Sequence, residues 1–193
     1  MIPTIILLLF SFLCGSIPFA FIISKLFYGI DIRTKGSGNP GATNVWRVVG
    51  KKPAAATFAL DVLKGLIPVL AAEKYFPDAG LAVPIACGFC AAAGHIWTPF
   101  LKFRGGKGVA TGFGIFLGLA PLPVSFSFAI FCLLLFSTKM VAVGSIGAAV
   151  SLPLFLFLFK AQKNIIAISI LLAIIVVWRH KQNIKNIMAK KYD

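Results

Sequence analysis

Residues 2–27 read IPTIILLLFSFLCGSIPFAFIISKLF, an apolar run with Lys25 as its one charged side chain. A hydrocarbon core of about 30 Å is crossed by about 20 helical residues, so this stretch is long enough to span a bilayer. It opens without a basic n-region and exceeds the roughly 7–15-residue core of a secretory signal, so it is expected to be a retained first span.

The rest of the chain has the same character. Of 193 residues, 59% are apolar and 12% charged, and the mean hydropathy is +0.95, whereas soluble domains carry about 25% charged residues. Further apolar runs cover Pro53 to Phe76, Ala79 to Phe100, Val109 to Ala120, Val124 to Phe136, Val141 to Phe159 and Ile165 to Trp178. The runs are continuous and do not alternate with period two, which selects helices over a barrel. The expected fold is an all-α integral membrane protein, residues 1–193 forming one polytopic bundle of seven transmembrane helices.

Charge sets the expected orientation. With the N-terminus outside and seven crossings, fifteen Lys and Arg side chains fall on the inner side, against Lys74, Lys160 and Lys163 outside and Lys64 within a span. That asymmetry obeys the positive-inside rule and puts the C-terminus in the cytosol. Pro121-Leu122-Pro123 leaves an alternative for Val109 to Thr138, one kinked span plus a re-entrant piece. A six-crossing chain would separate Lys139 and Ser145 from the C-terminal tail.

Nineteen basic against five acidic side chains would suggest nucleic acid in a soluble protein. Here the cations lie between apolar runs and the aromatics fill the spans, so nucleic acid is not an expected partner. Cys87-Gly88-Phe89-Cys90 spells a redox dithiol, but nothing polar surrounds it to lower a thiol pKa, and all four cysteines read as packing residues. The His, Cys and acidic residues lack metal-site spacing, so neither metal nor other cofactor is expected.

Chemistry concentrates in three places. Lys35-Gly36-Ser37-Gly38-Asn39-Pro40-Gly41-Ala42-Thr43-Asn44, with Arg47 behind it, combines flexible backbone, neutral donors and a bidentate cation, suited to an oxyanion or polyol. Phe103-Arg104-Gly105-Gly106-Lys107-Gly108 stands before an apolar helix beginning at about Val109, a setting that holds phosphate. Gly108 after Lys107, where a Walker loop has Ser or Thr, argues against nucleotide hydrolysis. The third cluster is divided, Lys139 with Ser145 and then Arg179-His180-Lys181-Gln182-Asn183; on a continued helix His180 and Asn183 share one face. His95 reads as an interfacial hydrogen-bonding residue. Asp61 and Lys64, three apart inside the second span, read as a pair facing the bundle interior.

Together these motifs resemble the bacterial membrane-bound acyl-phosphate:glycerol-3-phosphate acyltransferase family, PlsY. The resemblance runs through residues 36–44 with Arg47 and Gly50, Asp61-Val62-Leu63-Lys64-Gly65, Gly94-His95, residues 103–108, and Arg179-His180 with Asn183. It implies acyl transfer from acyl phosphate to the 1-hydroxyl of glycerol 3-phosphate, giving lysophosphatidate and phosphate, at a cytosol-facing site of a bacterial inner-membrane protein. It also implies that Gly105, Gly106 and Gly108 serve the acyl-phosphate donor and that Ser37, Arg47, His180 and Asn183 are needed for activity. Lys107 joins these as a catalytic candidate, while Gly38, Asn39, Gly41, Thr43, Asn44, Arg104 and Ser145 are candidates for substrate binding. The implied partners are the two substrates and the bilayer, with no protein partner evident.

An acyl phosphate is already activated, so the protein has to align it with the alcohol, neutralise two phosphates and donate to the carbonyl oxygen. No carboxylate lies beside His180 in sequence. The alcohol proton is therefore expected to pass to a substrate phosphate oxygen, with His180 orienting it, the rivals being His180 as base or Ser37 as nucleophile. A phosphate-ester or anion transporter and a non-catalytic scaffold are the other classes. One-sided cations and the absence of an inverted repeat count against the first, the glycine loops against the second.

Overall fold

The structure, a computed structural model, describes residues 2–189; Lys190 and Lys191, counted with the inner charges above, lie outside the described residues. Among the described residues ten α-helices run in order: α1 Ile2–Ser16, α2 Phe19–Tyr28, α3 Ala42–Val48, α4 Lys51–Tyr75, α5 Ala82–Ile96, α6 Val109–Leu119, α7 Pro121–Thr138, α8 Val141–Leu158, α9 Lys163–Arg179 and α10 Lys181–Met188. No strand occurs among the described residues.

Each expected apolar run contains helix, with changed bounds, and the first is broken at Ile17-Pro18. Among the described residues four segments are long and apolar enough to cross a membrane, and six if the α1–α2 pair (bent 44°) and the α9–α10 pair (bent 54°) each count as one span. The eleven-residue α6 is shorter, about 16 Å at 1.5 Å per residue. Pro121 and Pro123 do not cut a span internally: α6 ends at Leu119, and Pro121 opens α7, where a missing N–H costs nothing. The expected run from Val124 to Phe136 accordingly grows to the eighteen residues of α7.

The helices are inverted relative to those of a soluble protein. In α1 the buried residues are Ser11, Gly15 and Ser16, while Ile5, Ile6, Leu9 and Leu13 are exposed. Lipid is as apolar as leucine, so association comes from close packing of small residues rather than from burying grease.

Two compact units result, residues 1–119 and 120–193. In the first, α1 packs on α5, and α4 on both α5 and α6. A Cβ on Gly15 would strike the Ala91 backbone, one on Gly94 the Phe12 carbonyl, one on Gly65 the Thr111 carbonyl, and one on Gly114 the Val62 carbonyl. The amphipathic α2 and short α3 close over Ala20, Ile32, Val45 and Ala54, a small core beneath the first glycine loop. In the second unit α7 packs on α8 and α8 on α9, with Gly144 and Gly147 set against Phe131 and Leu134.

Candidate functional site

The first loop is organised from below by Asn44, which is buried in the first turn of α3. Its Oδ1 accepts from the Ser37 amide at 2.8 Å, and its Nδ2 donates to the carbonyls of Ile32 and Lys35, both at 3.0 Å. Gly36 and Gly38 have φ of 58° and 69°, which lets the chain double back over Asn44. These bonds make Asn44 the organiser of the loop, a role that its position among the neutral donors did not disclose. Ser37, Thr43 and Arg47 are exposed, Gly38, Asn39 and Gly41 half-buried.

Before the loop, Asp31 and Arg33 form a two-point ion pair, Nε to Oδ1 at 2.9 Å and Nη2 to Oδ2 at 2.7 Å. The same guanidinium stacks 4.6 Å from the centre of the Phe21 ring. The Arg33 hydrogen bonds hold the Asp31 carboxyl at about 2, below the usual range.

The second loop folds back onto the end of α5. A helix leaves its last carbonyls without intrahelical partners; here the amides of Gly105 and Gly106 donate to Ile96 and His95 carbonyls at 3.0 and 3.1 Å. These two amides therefore cap α5, and the anion-binding capacity of the loop rests on the Arg104 and Lys107 side chains and on the N-terminus of α6, which Gly108 enters at φ 84°. Arg104 is exposed, Lys107 half-buried, and Gly105, Gly106 and Gly108 are buried.

Between the loops lies a set of buried polar groups. Asp61 and Lys64, each 3% exposed, pair at 2.7 Å as their spacing predicts. The Lys64 ammonium also donates to the Ile17 carbonyl at the α1–α2 break, 2.8 Å away. His95 Nδ1 stands 3.8 Å from Asp61 Oδ1. Thr98, a residue the motif reading passed over, donates from Oγ1 to the Ser16 carbonyl at 2.7 Å; its one sequence signal is a hydroxyl next to a proline just past a helix end. A small cleft is lined by these four side chains together with Pro40 of the first loop and Gly105 and Gly106 of the second. Within residues 1–119 the two glycine loops thus reach one polar cleft.

In the second unit Ser145 is buried in the second turn of α8. The helix does not continue through His180, which stands between α9 and α10. Its amide bonds both Val176 and Val177 carbonyls, and its ring Nδ1 lies 2.8 Å from the Val176 carbonyl, which closes α9 in a tight turn and starts α10 at a new angle. A carbonyl only accepts, so Nδ1 carries the proton and Nε2 is the acceptor of the neutral ring. Asn183, half-buried, sits in the first turn of α10. Among the described residues no three His, Cys, Asp or Glu side chains converge as metal ligands.

A family model described as glycerol-3-phosphate acyltransferase matches residues 5–190. Proteins named glycerol-3-phosphate acyltransferase are similar throughout: that of Syntrophotalea carbinolica is 44% identical over 183 residues, covering 95% of this chain and 93% of its own. That of Endomicrobium trichonymphae is 40% identical over 190 residues, covering 98% and 94%. Two crystal structures of PlsY (YgiH), an integral membrane glycerol 3-phosphate acyltransferase, are 37% identical over 99% of this chain and 94% of theirs. The glycerol 3-phosphate form superposes with a TM-score of 0.93 and the lysophosphatidic acid form with 0.91. A match that runs through both units and all the motifs leaves one conclusion: the chain belongs to the glycerol-3-phosphate acyltransferase family of integral membrane enzymes.

Proposed function

We propose that the protein transfers a fatty acyl group from acyl phosphate to the 1-hydroxyl of glycerol 3-phosphate, giving lysophosphatidate and inorganic phosphate, the first acylation of phospholipid synthesis. The observation that carries this reading is the whole-chain likeness to PlsY in forms named for glycerol 3-phosphate and lysophosphatidic acid. The acyl-phosphate donor is supported by the chemistry of the chain. It offers cations and hydrogen-bond donors for phosphates, and no carboxylate near His180 in sequence to make a relay.

Ser37, Arg47, Lys107, His180 and Asn183 carry the reaction in this reading. Gly38, Asn39, Gly41, Thr43, Arg104, Gly108 and Ser145 serve substrate binding, and Asn44, Gly105 and Gly106 shape the loops that do so. Arg47 and Lys107 neutralise phosphate and stabilise the carbonyl oxygen as it becomes anionic. A phosphate monoester has a second pKa of about 6, so a substrate phosphate oxygen takes the alcohol proton while His180 Nε2 orients the polar groups around it. No metal or other cofactor enters this scheme.

The chain works as one domain of seven crossings, with the N-terminus outside and the active site on the cytosolic side of a bacterial inner membrane. The one-sided distribution of Lys and Arg supports that orientation. The test is purified protein in detergent given acyl phosphate with and without glycerol 3-phosphate. Phosphate release that requires the acceptor, and yields lysophosphatidate, is expected. Release indifferent to the acceptor, or none, would overturn the proposal, and loss of activity on chelation with recovery on adding magnesium would overturn its metal-free part.

A further inference from the structure

A glycine in a phosphate-binding loop is usually explained by the ligand, whose oxygens need bare backbone. At Gly106 a different cause is on view. Its amide donates to the His95 carbonyl, and the three atoms nearest to a Cβ built there are Nε2, Cε1 and Cδ2 of the His95 ring, well inside contact distance. Its φ lies outside the left-handed region, so alanine meets no backbone objection. Gly105 differs: a Cβ there would strike the carbonyls of His95 and Ile96, which are main chain and do not move aside.

The ring has little freedom to give way. His95 is 6% exposed, with Asp61 3.8 Å from its Nδ1 side, and Asp61 is itself fixed by Lys64 at 2.7 Å. Lys64 in turn is bonded to the Ile17 carbonyl, just ahead of α2, which leads to the first glycine loop. A chain of contacts therefore runs from the α1–α2 break through Lys64, Asp61 and His95 to the backbone of Gly106.

We infer that His95 is a positioning residue, a wedge held by the buried Asp61–Lys64 pair, which sets the path of Gly105-Gly106 and through it the place of Lys107; residue 106 is glycine because the imidazole occupies the space a Cβ would need. The functional part of this inference rests on the acyltransferase reading above, in which Lys107 serves phosphate.

The experiment is a double-mutant cycle on the full chain in detergent, with Gly106→Ala, His95→Ala, the double variant, and Gly105→Ala with and without His95→Ala. Gly106→Ala is expected to raise KM for a phosphate-bearing substrate about tenfold with kcat within about twofold; a smaller folded fraction would instead lower kcat and leave both KM values alone. Adding His95→Ala should recover at least about threefold of that loss, a coupling expected only of groups in contact. It should recover none of the loss in Gly105→Ala. Absence of recovery at position 106, or equal recovery at 105, would overturn the inference. If wild-type protein releases no phosphate, the acyltransferase reading fails by itself. The cycle is then read from thermal melting, where Gly106→Ala should melt lower than wild type and the double variant higher than Gly106→Ala; no coupling there would sink the wedge as well.

Discussion

The Lys64 ammonium, halfway along α4, donates to the main-chain carbonyl of Ile17 at 2.8 Å while pairing with Asp61 at 2.7 Å. One side chain thus offsets a buried carboxylate and satisfies a carbonyl at the point where α1 ends and Pro18 prevents the helix from continuing. Lys64→Met would strand Asp61 in a low-dielectric interior. A loss of about 3–5 kcal/mol is expected, most of it recovered in Lys64→Met/Asp61→Leu, because removing both charges removes the desolvation problem. Thermal melting of the three variants in detergent measures this, and a double variant no more stable than the single would contradict it.

Asn44 provides a second structural test. Asn44→Ala deletes three hydrogen bonds to loop backbone, at a cost of about 2–4 kcal/mol at roughly 1 kcal/mol each plus the stranded groups. The loop over α3 should then open, with faster amide exchange at Ser37. Unchanged exchange there would show that the loop does not depend on this side chain.

Close helix approach makes glycine positions unequal. Gly94→Leu would drive a side chain into the Phe12 carbonyl and Ser16, and a loss of about 3 kcal/mol or more is expected from overpacking against backbone. At Gly112 an added Cβ meets nothing within 4 Å, so Gly112→Ala should be neutral or stabilise by up to about 1 kcal/mol through helix propensity. Comparable melting losses in the two variants would refute the packing account of α1 against α5.

The Asp31–Arg33 pair has a pH signature. Hydrogen bonds from Arg33 lower the carboxyl pKa to about 2 in the folded protein. The stabilisation is therefore complete above the unfolded pKa of about 3.9 and fades as pH falls through about 2. A carboxyl-carbon NMR titration should give a midpoint near 2 in the wild type, moving back towards about 3.9 in Arg33→Gln. An unmoved midpoint would show that the pair is not the cause.

His180 distinguishes a general base from an orienting group. With Nδ1–H committed to Val176, the proposed reading has His180→Ala lose an orienting Nε2 and keep the proton acceptor on the substrate. Single-turnover transfer with both substrates bound should fall by less than about a hundredfold, the lower bound for loss of a general base. A larger fall would assign the base to His180.

Hydropathy and charge alone were enough for the helical class and for the membrane as solvent. The bilayer demands long apolar runs and internally bonded backbone, and that demand is written in composition. The Asp61–Lys64 pair was also legible, because two charges three residues apart inside a span can hardly do other than meet. The motifs identified the family, since many matches at fixed spacing accumulate specificity that no single glycine cluster has.

What a residue does within those motifs was decided by tertiary structure. Asn44 turned from ligand candidate to loop organiser, the Gly105 and Gly106 amides were taken by the α5 carbonyls, and His180 ended a helix instead of continuing one. Thr98 and His95 gained meaning only from partners far along the chain, at Ser16, Asp61 and Gly106. Periodicity records a residue's preference for lipid or interior, which is a property of the residue itself. A hydrogen bond or a close approach belongs to two residues at once, and only the folded chain says which two.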